Sequence, residues 1–268
     1  MAIHPLSVVE DGAILGAGVE IGPFCHVGPR VTLGDGVRLI SHVSIAGVTS
    51  IGARSTLDPQ VAVGGDAQIR GNDFPEGRLV IGDDCVLREM VSMSCGSKRD
   101  QGVTTVGARG YFMANSHVGH DCIVGDDVTM ANSACLGGHV TIGDRVIFGG
   151  VSAVQQFCRV GRGAMVGGLT GINRDVIPYG IAFGDHAELA GLNLIGLKRS
   201  GVGREAINAL RGAFKLIFYG KDGGVSDRAR EARSRWPDVA QVVEVVDFIL
   251  ADAKQELCLA RRRGADLG

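Results

Sequence analysis

Apolar residues recur along this chain with a period of six. From Ile3 the series runs Val9, Leu15, Ile21, Val27, Leu33, Leu39, Ile45, Ile51, Leu57 and Val63. It breaks over residues 66–78, resumes at Ile81, Leu87 and Met93, and breaks again near 96–104. From Val106 it continues through Phe112, Val118, Val124, Met130, Leu136, Ile142, Phe148, Val154, Val160 and Val166 to Ile172. All 26 hexads are led by an apolar residue, in a chain that is 45% hydrophobic. The last twelve alone have a chance probability under roughly 1 in 10,000 for such a repeat.

A period of six fits neither the 3.6 of a helix nor the two of a half-buried strand. It is the period of a hexapeptide solenoid, a parallel β-helix of short strands with a corner after each. Three hexads make a coil, which predicts nearly nine coils. Glycine follows the leading residue in 15 of the 26 hexads, and the expectation is that it permits a sharp backbone turn. Each coil rests only on its neighbours, so the two breaks are predicted to leave the solenoid as loops, where function often sits.

The pattern changes after Pro178. Ile207, Leu210, Phe214 and Ile217 recur at helical spacing, as do Val239, Val242, Val243, Val246, Ile249 and Leu250. Gly223-Gly224 separates the two segments, Ser226 reads as an N-cap, and Pro237 reads as lying just inside the later helix. The expected fold is mainly β: a hexapeptide β-helix over residues 1–195, with loops near 66–78 and 96–104, then a C-terminal α-helical domain over 196–268 that can cap the open coil end.

Composition sharpens this picture. Glycine accounts for 42 of 268 residues, against a usual share of about 7%. The net charge of −2 and the 21% of charged residues give no global field toward nucleic acid. The seven cysteines contain no Cys-x-x-Cys pair, which argues against a disulfide framework or a cysteine zinc site. Cys122, Cys135 and Cys158 read as small buried residues of the hexads. The N-terminus lacks a signal-peptide pattern and no stretch suits a membrane span, so a cytoplasmic protein is expected. Arg261-Arg262-Arg263 reads as a solvated tail.

Candidate chemistry gathers in Asn115-Ser116-His117-Val118-Gly119-His120-Asp121-Cys122. With 18 residues per coil, His120 stacks near position 138 and His139 falls one strand spacing of about 4.8 Å away. Two or three imidazoles should meet on one face. Histidine serves as a base near neutral pH or as a metal ligand. A base there could deprotonate a sugar hydroxyl attacking an acyl thioester, with a Gly137-Gly138 amide steadying the oxyanion. Asp121 could orient His120, although adjacent side chains often point in opposite directions.

This histidine run, the hexads and the tail together resemble the UDP-N-acetylglucosamine acyltransferase family of lipid A synthesis. The resemblance covers nearly the whole chain. It includes Ile21-Gly22-Pro23-Phe24-Cys25, Ser41-His42-Val43, Arg88-Glu89, Gly138-His139-Val140 and Gln156-Phe157-Cys158. It continues through Met165-Val166-Gly167-Gly168, Gly196-Leu197-Lys198-Arg199 and Arg204-Glu205-Ala206-Ile207. It implies a left-handed β-helix, a homotrimer with active sites in clefts between subunits, and an acyl carrier protein donor whose phosphopantetheine is substrate, with no separate cofactor. His120 becomes the base, with His117 and His139 lining the site and Gly138 giving the oxyanion amide. Gln156, Asn193 and Arg199 would help hold the nucleotide or the phosphopantetheine, and Gln68 aligns as a further substrate-binding residue. Gly168 matches the position that limits acyl length, and a glycine there leaves room for a longer chain.

The chain departs from the family at several polar positions. Gln155 stands where a histidine is usual, Gly71 near a usual lysine, and Met93-Ser94-Cys95-Gly96-Ser97 where the family has Ile-His-Arg-Gly-Thr. Ile195 and Ser200 replace a glutamate and an arginine. These changes raise an alternative acceptor, a UDP-sugar with a 3-amino group, which would give an amide. A zinc carbonic anhydrase on this scaffold would need a histidine pair five residues apart plus a distant third. Here the spacing is three, then nineteen, so no metal is expected. A solenoid that only binds is the remaining class, and the His120 cluster argues against it.

Overall fold

Each of the 26 hexad leaders falls in a β-strand, from Ala2–Ile3 to Gly171–Ile172. Every third strand pairs in parallel, so the coil has three faces. The first sheet starts from Ala2–Ile3, the second from Val8–Val9 and the third from Ile14–Leu15. Register is fixed by burial: the leader points into the prism and its predecessor points out, as in the Glu20–Ile21 and His26–Val27 pairs. From Ile21 to Ile172 every leader is buried. The first three, Ile3, Val9 and Leu15, are more open because their coil has a neighbour on one side only. The architecture is a left-handed parallel β-helix followed by helices. The computed structural model describes residues 2–260, so the Arg261–Arg263 run and the end of the C-terminal stretch lie outside the described residues.

The glycine after the leader has a different role from the one expected. Of those fifteen glycines only Gly64 has a positive φ. A Cβ on Gly22 would sit 1.8 Å from the carbonyl oxygen of Ile40 in the next coil, so the side chain is absent because coils pass too close. The left-handed residue lies two places further on and is mostly not glycine, as at Asp121, His139 and Phe157, with φ of 58, 60 and 68°. Both insertions leave from the corner between the second and third sheets, one between strands Ala62–Gly65 and Arg78–Ile81, the other between Ser92–Ser94 and Val103–Val106.

Beyond the hexads, Gly180–Phe183 joins the first sheet and pairs antiparallel with Glu188–Leu192. Four helices follow: α1 (Leu194–Arg199), α2 (Arg204–Tyr219), α3 (Val225–Arg235) and α4 (Ala240–Leu250). The α2 stripe buries Ile207, Leu210, Phe214 and Ile217 as the spacing predicts. Two cap readings are corrected. Gly224, not Ser226, is the N-cap of α3, because the Asp227 carboxylate accepts the Gly224 N–H at 3.1 Å and places Ser226 inside the helix. Pro237 precedes α4 in a turn, with Val239 at its N-cap. Cys122 and Cys158 are buried as read, but Cys135 is exposed, because it occupies the outward strand position just before its leader.

A cation–π contact and an ion pair tie α4 to the last coils. Arg159 Nε reaches Asp175 Oδ2 at 2.7 Å, its guanidinium lies 4.4 Å from the Phe248 ring centroid, and Arg162 Nε meets Glu244 Oε1 at 3.1 Å. The segment after α4 then returns to the solenoid, where the Cys258 N–H donates to the Asp175 carbonyl at 2.8 Å.

Gly22→Ala should lower stability by about 1–3 kcal/mol or more through overpacking against the next coil. At Gly18, with φ of 69° and no atom within 4 Å of a Cβ, alanine should cost only about 1 kcal/mol of backbone strain. Thermal melts of the two variants check the order, and equal midpoints would contradict the close-approach account.

Candidate functional site

The coil repeat brings two rows of residues together at the corner after the second sheet. Two places after the leader stand His120, Gly138 and Gln156; three places after it stand Asp121, His139 and Phe157. The ladder binds them directly. The His139 N–H donates to the His120 carbonyl at 2.9 Å, and the Phe157 N–H to the Gly138 carbonyl at 3.2 Å.

His120 Nδ1 lies 2.8 Å from Asp121 Oδ2, with the two side chains 12% and 2% exposed. A carboxylate only accepts, so the contact assigns the proton to Nδ1 and leaves Nε2 as the basic nitrogen. Sequence reasoning discounted this pair on the rule of alternating side chains. That rule holds for extended backbone, and the left-handed φ of Asp121 turns its carboxylate to the side of His120. Asp121 is in turn fixed by the second insertion: Ser97 donates its N–H to Oδ1 at 2.9 Å and its hydroxyl to Oδ2 at 2.6 Å. The Thr104 hydroxyl accepts the Asp121 N–H at 2.8 Å.

The His120 ring lies over Gly138. A Cβ there would sit 2.3 Å from Cε1 and 2.5 Å from Nε2, so only glycine admits the imidazole. Among the described residues no acceptor is found for the Gly138 N–H. The ladder leaves this phase over, and at the corner after the third sheet aspartates take it up, as Asp35 does for Ala17 at 2.7 Å and Asp126 for Ala108 at 2.8 Å. At Gly138 the amide stays available to a ligand oxygen, beside the imidazole.

His139 stands edge-on to His120, ring centroids 5.0 Å apart at 88°, and stacks on Phe157 at 4.5 Å and 11°. Its Nδ1 meets Asp100 Oδ2 at 3.0 Å. His117 Nδ1 shares a hydrogen bond of 2.8 Å with Ser92 Oγ. Burial holds its pKa below the ordinary histidine range, with the nearby His120 acting in the same direction. Burial also pushes the Cys122 thiol up to about 12, which keeps it from acting as a nucleophile. His120, Asp121 and His139 offer ligand atoms within 4.8 Å of one another. A cation there would have to displace the His120–Asp121 bond and compete with both Ser97 donors.

One chain gathers His117, His120, Asp121, Gly138, His139 and Gln156. The exposed Gln68 borders them, lining a hollow with Ser92. The other residues lie elsewhere. Gly168 is exposed at the corner after the first sheet. Asn193 caps α1 through Gly196 and donates to the Gly163 carbonyl at 3.0 Å, at the corner after the third sheet. Arg199 ends α1, exposed. Thr104, Ser92 and Asp100 were missed, and Ser97 was noted only as a departure from the family's Ile-His-Arg-Gly-Thr; a further signal was that the second break interrupts the hexads one coil before the histidines.

Comparisons with known proteins fit this geometry. Residues 175–258 match the family described as Udp N-acetylglucosamine O-acyltransferase, Domain 2. A Rhizobium johnstonii acyl-[acyl-carrier-protein]–UDP-N-acetylglucosamine O-acyltransferase is 49% identical over 95% of this chain and 93% of its own length. The protein of the same name from Caulobacter vibrioides is 47% identical, covering 98% of this chain and 99% of that one. The structure of UDP-N-acetylglucosamine acyltransferase from Campylobacter jejuni superposes with a TM-score of 0.91 at 30% identity, covering 97% of this chain and 100% of that chain. The solenoid is thus that of an acyltransferase class. Within that class, the chain belongs to the UDP-N-acetylglucosamine O-acyltransferase family.

The depressed His117 pKa carries a pH prediction. The unfolded histidine takes a proton near its ordinary value of 6.5, while the folded one resists until lower pH, so stability falls as pH drops through and below that value. The Tm advantage of the native protein over His117→Gln should therefore shrink between about pH 7.5 and about 5.5. A difference that does not change with pH would show that burial leaves this histidine unperturbed.

Proposed function

We propose that the chain transfers an acyl group from the phosphopantetheine thioester of acyl carrier protein to the 3-hydroxyl of UDP-N-acetylglucosamine, opening lipid A synthesis, with His120 as general base. The observation that carries this reading is the His120–Asp121 bond of 2.8 Å beside the available Gly138 amide. His120 Nε2 takes the hydroxyl proton as the sugar oxygen forms its bond to the thioester carbon. The Gly138 N–H stabilises the resulting oxyanion. Collapse breaks the C–S bond, and the proton passes from Nε2 to the leaving thiolate, giving the ester and free carrier thiol. Asp121 holds the tautomer and stabilises the imidazolium. His117, kept neutral by burial, adds no opposing charge. The relatives' names give O-acyl transfer, which favours a hydroxyl acceptor over the 3-amino alternative.

His117, His139, Gln68 and Gln156 line the acceptor and thioester paths in this reading, with Asn193 and Arg199 at the nucleotide or phosphopantetheine and Gly168 leaving space for a longer acyl chain. Because Gly168 and Asn193 stand at other corners than His120, a homotrimer completes each site from two chains. An exposed apolar ridge at the Gly168 corner supports this, with Phe24, Met90, Val151 and Leu169 at 55, 53, 60 and 75% exposure. Residues 1–195 serve as the transferase domain, and the C-terminal domain that follows carries helices α2, α3 and α4. Among the described residues no helix is long and apolar enough to cross a membrane, and we place the enzyme in the cytoplasm.

The test is a mass-spectrometric assay with 3-hydroxyacyl carrier proteins of several lengths, offering UDP-N-acetylglucosamine and its 3-amino analogue in parallel. An O-acylated product is expected, with His120→Ala slower by about 10²–10⁴-fold. Product from the amine alone, or an unchanged rate in the variant, would refute this reading.

A further inference from the structure

The second insertion touches the histidine corner at two points. Ser97 fixes Asp121; Asp100, three residues on, meets His139. Asp100 Oδ2 faces His139 Nδ1 at 3.0 Å, and Asp121 Oδ2 lies 3.8 Å from Nε2. His120 stands edge-on at 5.0 Å, and Phe157 covers one face with the Lys254 ammonium 4.5 Å from its own ring centroid. The hydrogen bond from His139 holds the Asp100 carboxyl below the usual carboxylate range, which makes it an acceptor over the whole neutral range.

We propose that Asp100 is a positioning residue for the acyl transfer, fixing His139 as its Nδ1–H tautomer and so reserving Asp121 for His120. The inference rests on the reading of His120–Asp121 as the reacting pair. An imidazole carries its single neutral-state proton on one nitrogen, and the acceptor that nitrogen faces decides which. With Asp100 present the proton sits on Nδ1 and points into the loop. Nε2, turned toward the pair, then has no proton with which to claim Asp121 Oδ2, the atom that orients His120. Without Asp100 the proton is free to move to Nε2, where Asp121 is the available carboxylate. Its oxygen would then be shared between two imidazoles, and His120 would lose its fixed orientation. The ring itself is held by Phe157, so the loss falls on the proton rather than on packing.

The experiment compares Asp100→Ala, Asp100→Asn and His120→Ala in the full chain, reading kcat and KM for UDP-N-acetylglucosamine together with 15N spectra of histidine-labelled protein. Asp100 is 42% exposed, and thermal midpoints check that each variant is folded. Asp100→Ala should lower kcat about tenfold with KM little changed, because orientation and not substrate affinity is lost. Asn keeps an oxygen that accepts the Nδ1–H, so Asp100→Asn should restore kcat to within about threefold of native. The spectra should show His139 as Nδ1–H in the native protein and Asp100→Asn, and as Nε2–H in Asp100→Ala. Native kcat in Asp100→Ala, failure of Asn to rescue, or an unchanged His139 tautomer would each overturn the inference. Full activity in His120→Ala would instead remove the reading on which it rests.

Discussion

The hydrogen-bond ladder between coils is the constraint on which the rest of this molecule depends. It repeats every 18 residues outside the insertions, as in the register of His117 on Cys135 and of Cys135 on Ala153. Residues of equal phase are therefore neighbours along the axis at about one strand spacing. His120 over Gly138, and the row of Asp121, His139 and Phe157, are consequences of that spacing. No long-range side-chain contact is needed to assemble them, because the backbone has already done so.

The same ladder explains why a free donor is found beside a base. Where the ladder is regular, a corner consumes the amides one and three places after the leader, as at Gly137 and His139, and leaves the one between them over. In water such an N–H is satisfied cheaply, but beside a half-buried ring it needs an acceptor. The corner after the third sheet meets that need with a run of aspartates, each capping the coil before it. The corner after the second sheet has His120 and Gly138 at that phase instead. What serves as a structural cap on one edge of the prism becomes, in our reading, the oxyanion donor on another.

Much of the solenoid was legible because one rule, burial of every sixth residue, sets strand, register and face together. The stacking of His139 on His120 followed from coil arithmetic alone. The errors arose where a local rule was applied without its context. Glycine after the leader was read through its torsional freedom, whereas the contact of Gly22 with the Ile40 carbonyl makes it a matter of space. Asp121 was discounted by an alternation that its left-handed backbone suspends, and Cys135 was taken as buried although its phase is the outward one. Ser226 lost the cap to a glycine assisted by Asp227. Asp100 and the contact of Ser97 with Asp121 were invisible for a different reason: both residues sit in a segment with no period, and only a folded loop shows which way it returns.

That loop also explains why the insertions and the histidines share a corner. A solenoid face is a continuous ladder, so extra residues are tolerated only where the chain turns. A corner by itself supplies side chains at fixed phases, here two imidazoles and a carboxylate, but not the polar groups that fix Asp121 and the protons of His139. The insertion of residues 95–102 supplies those groups, and it does so from outside the repeat, bonding to Asp121 through Ser97 and to His139 through Asp100. Rigid phase from the ladder and adaptable polar contacts from the loop are both required, because the first fixes where the rings stand and the second fixes where their protons are.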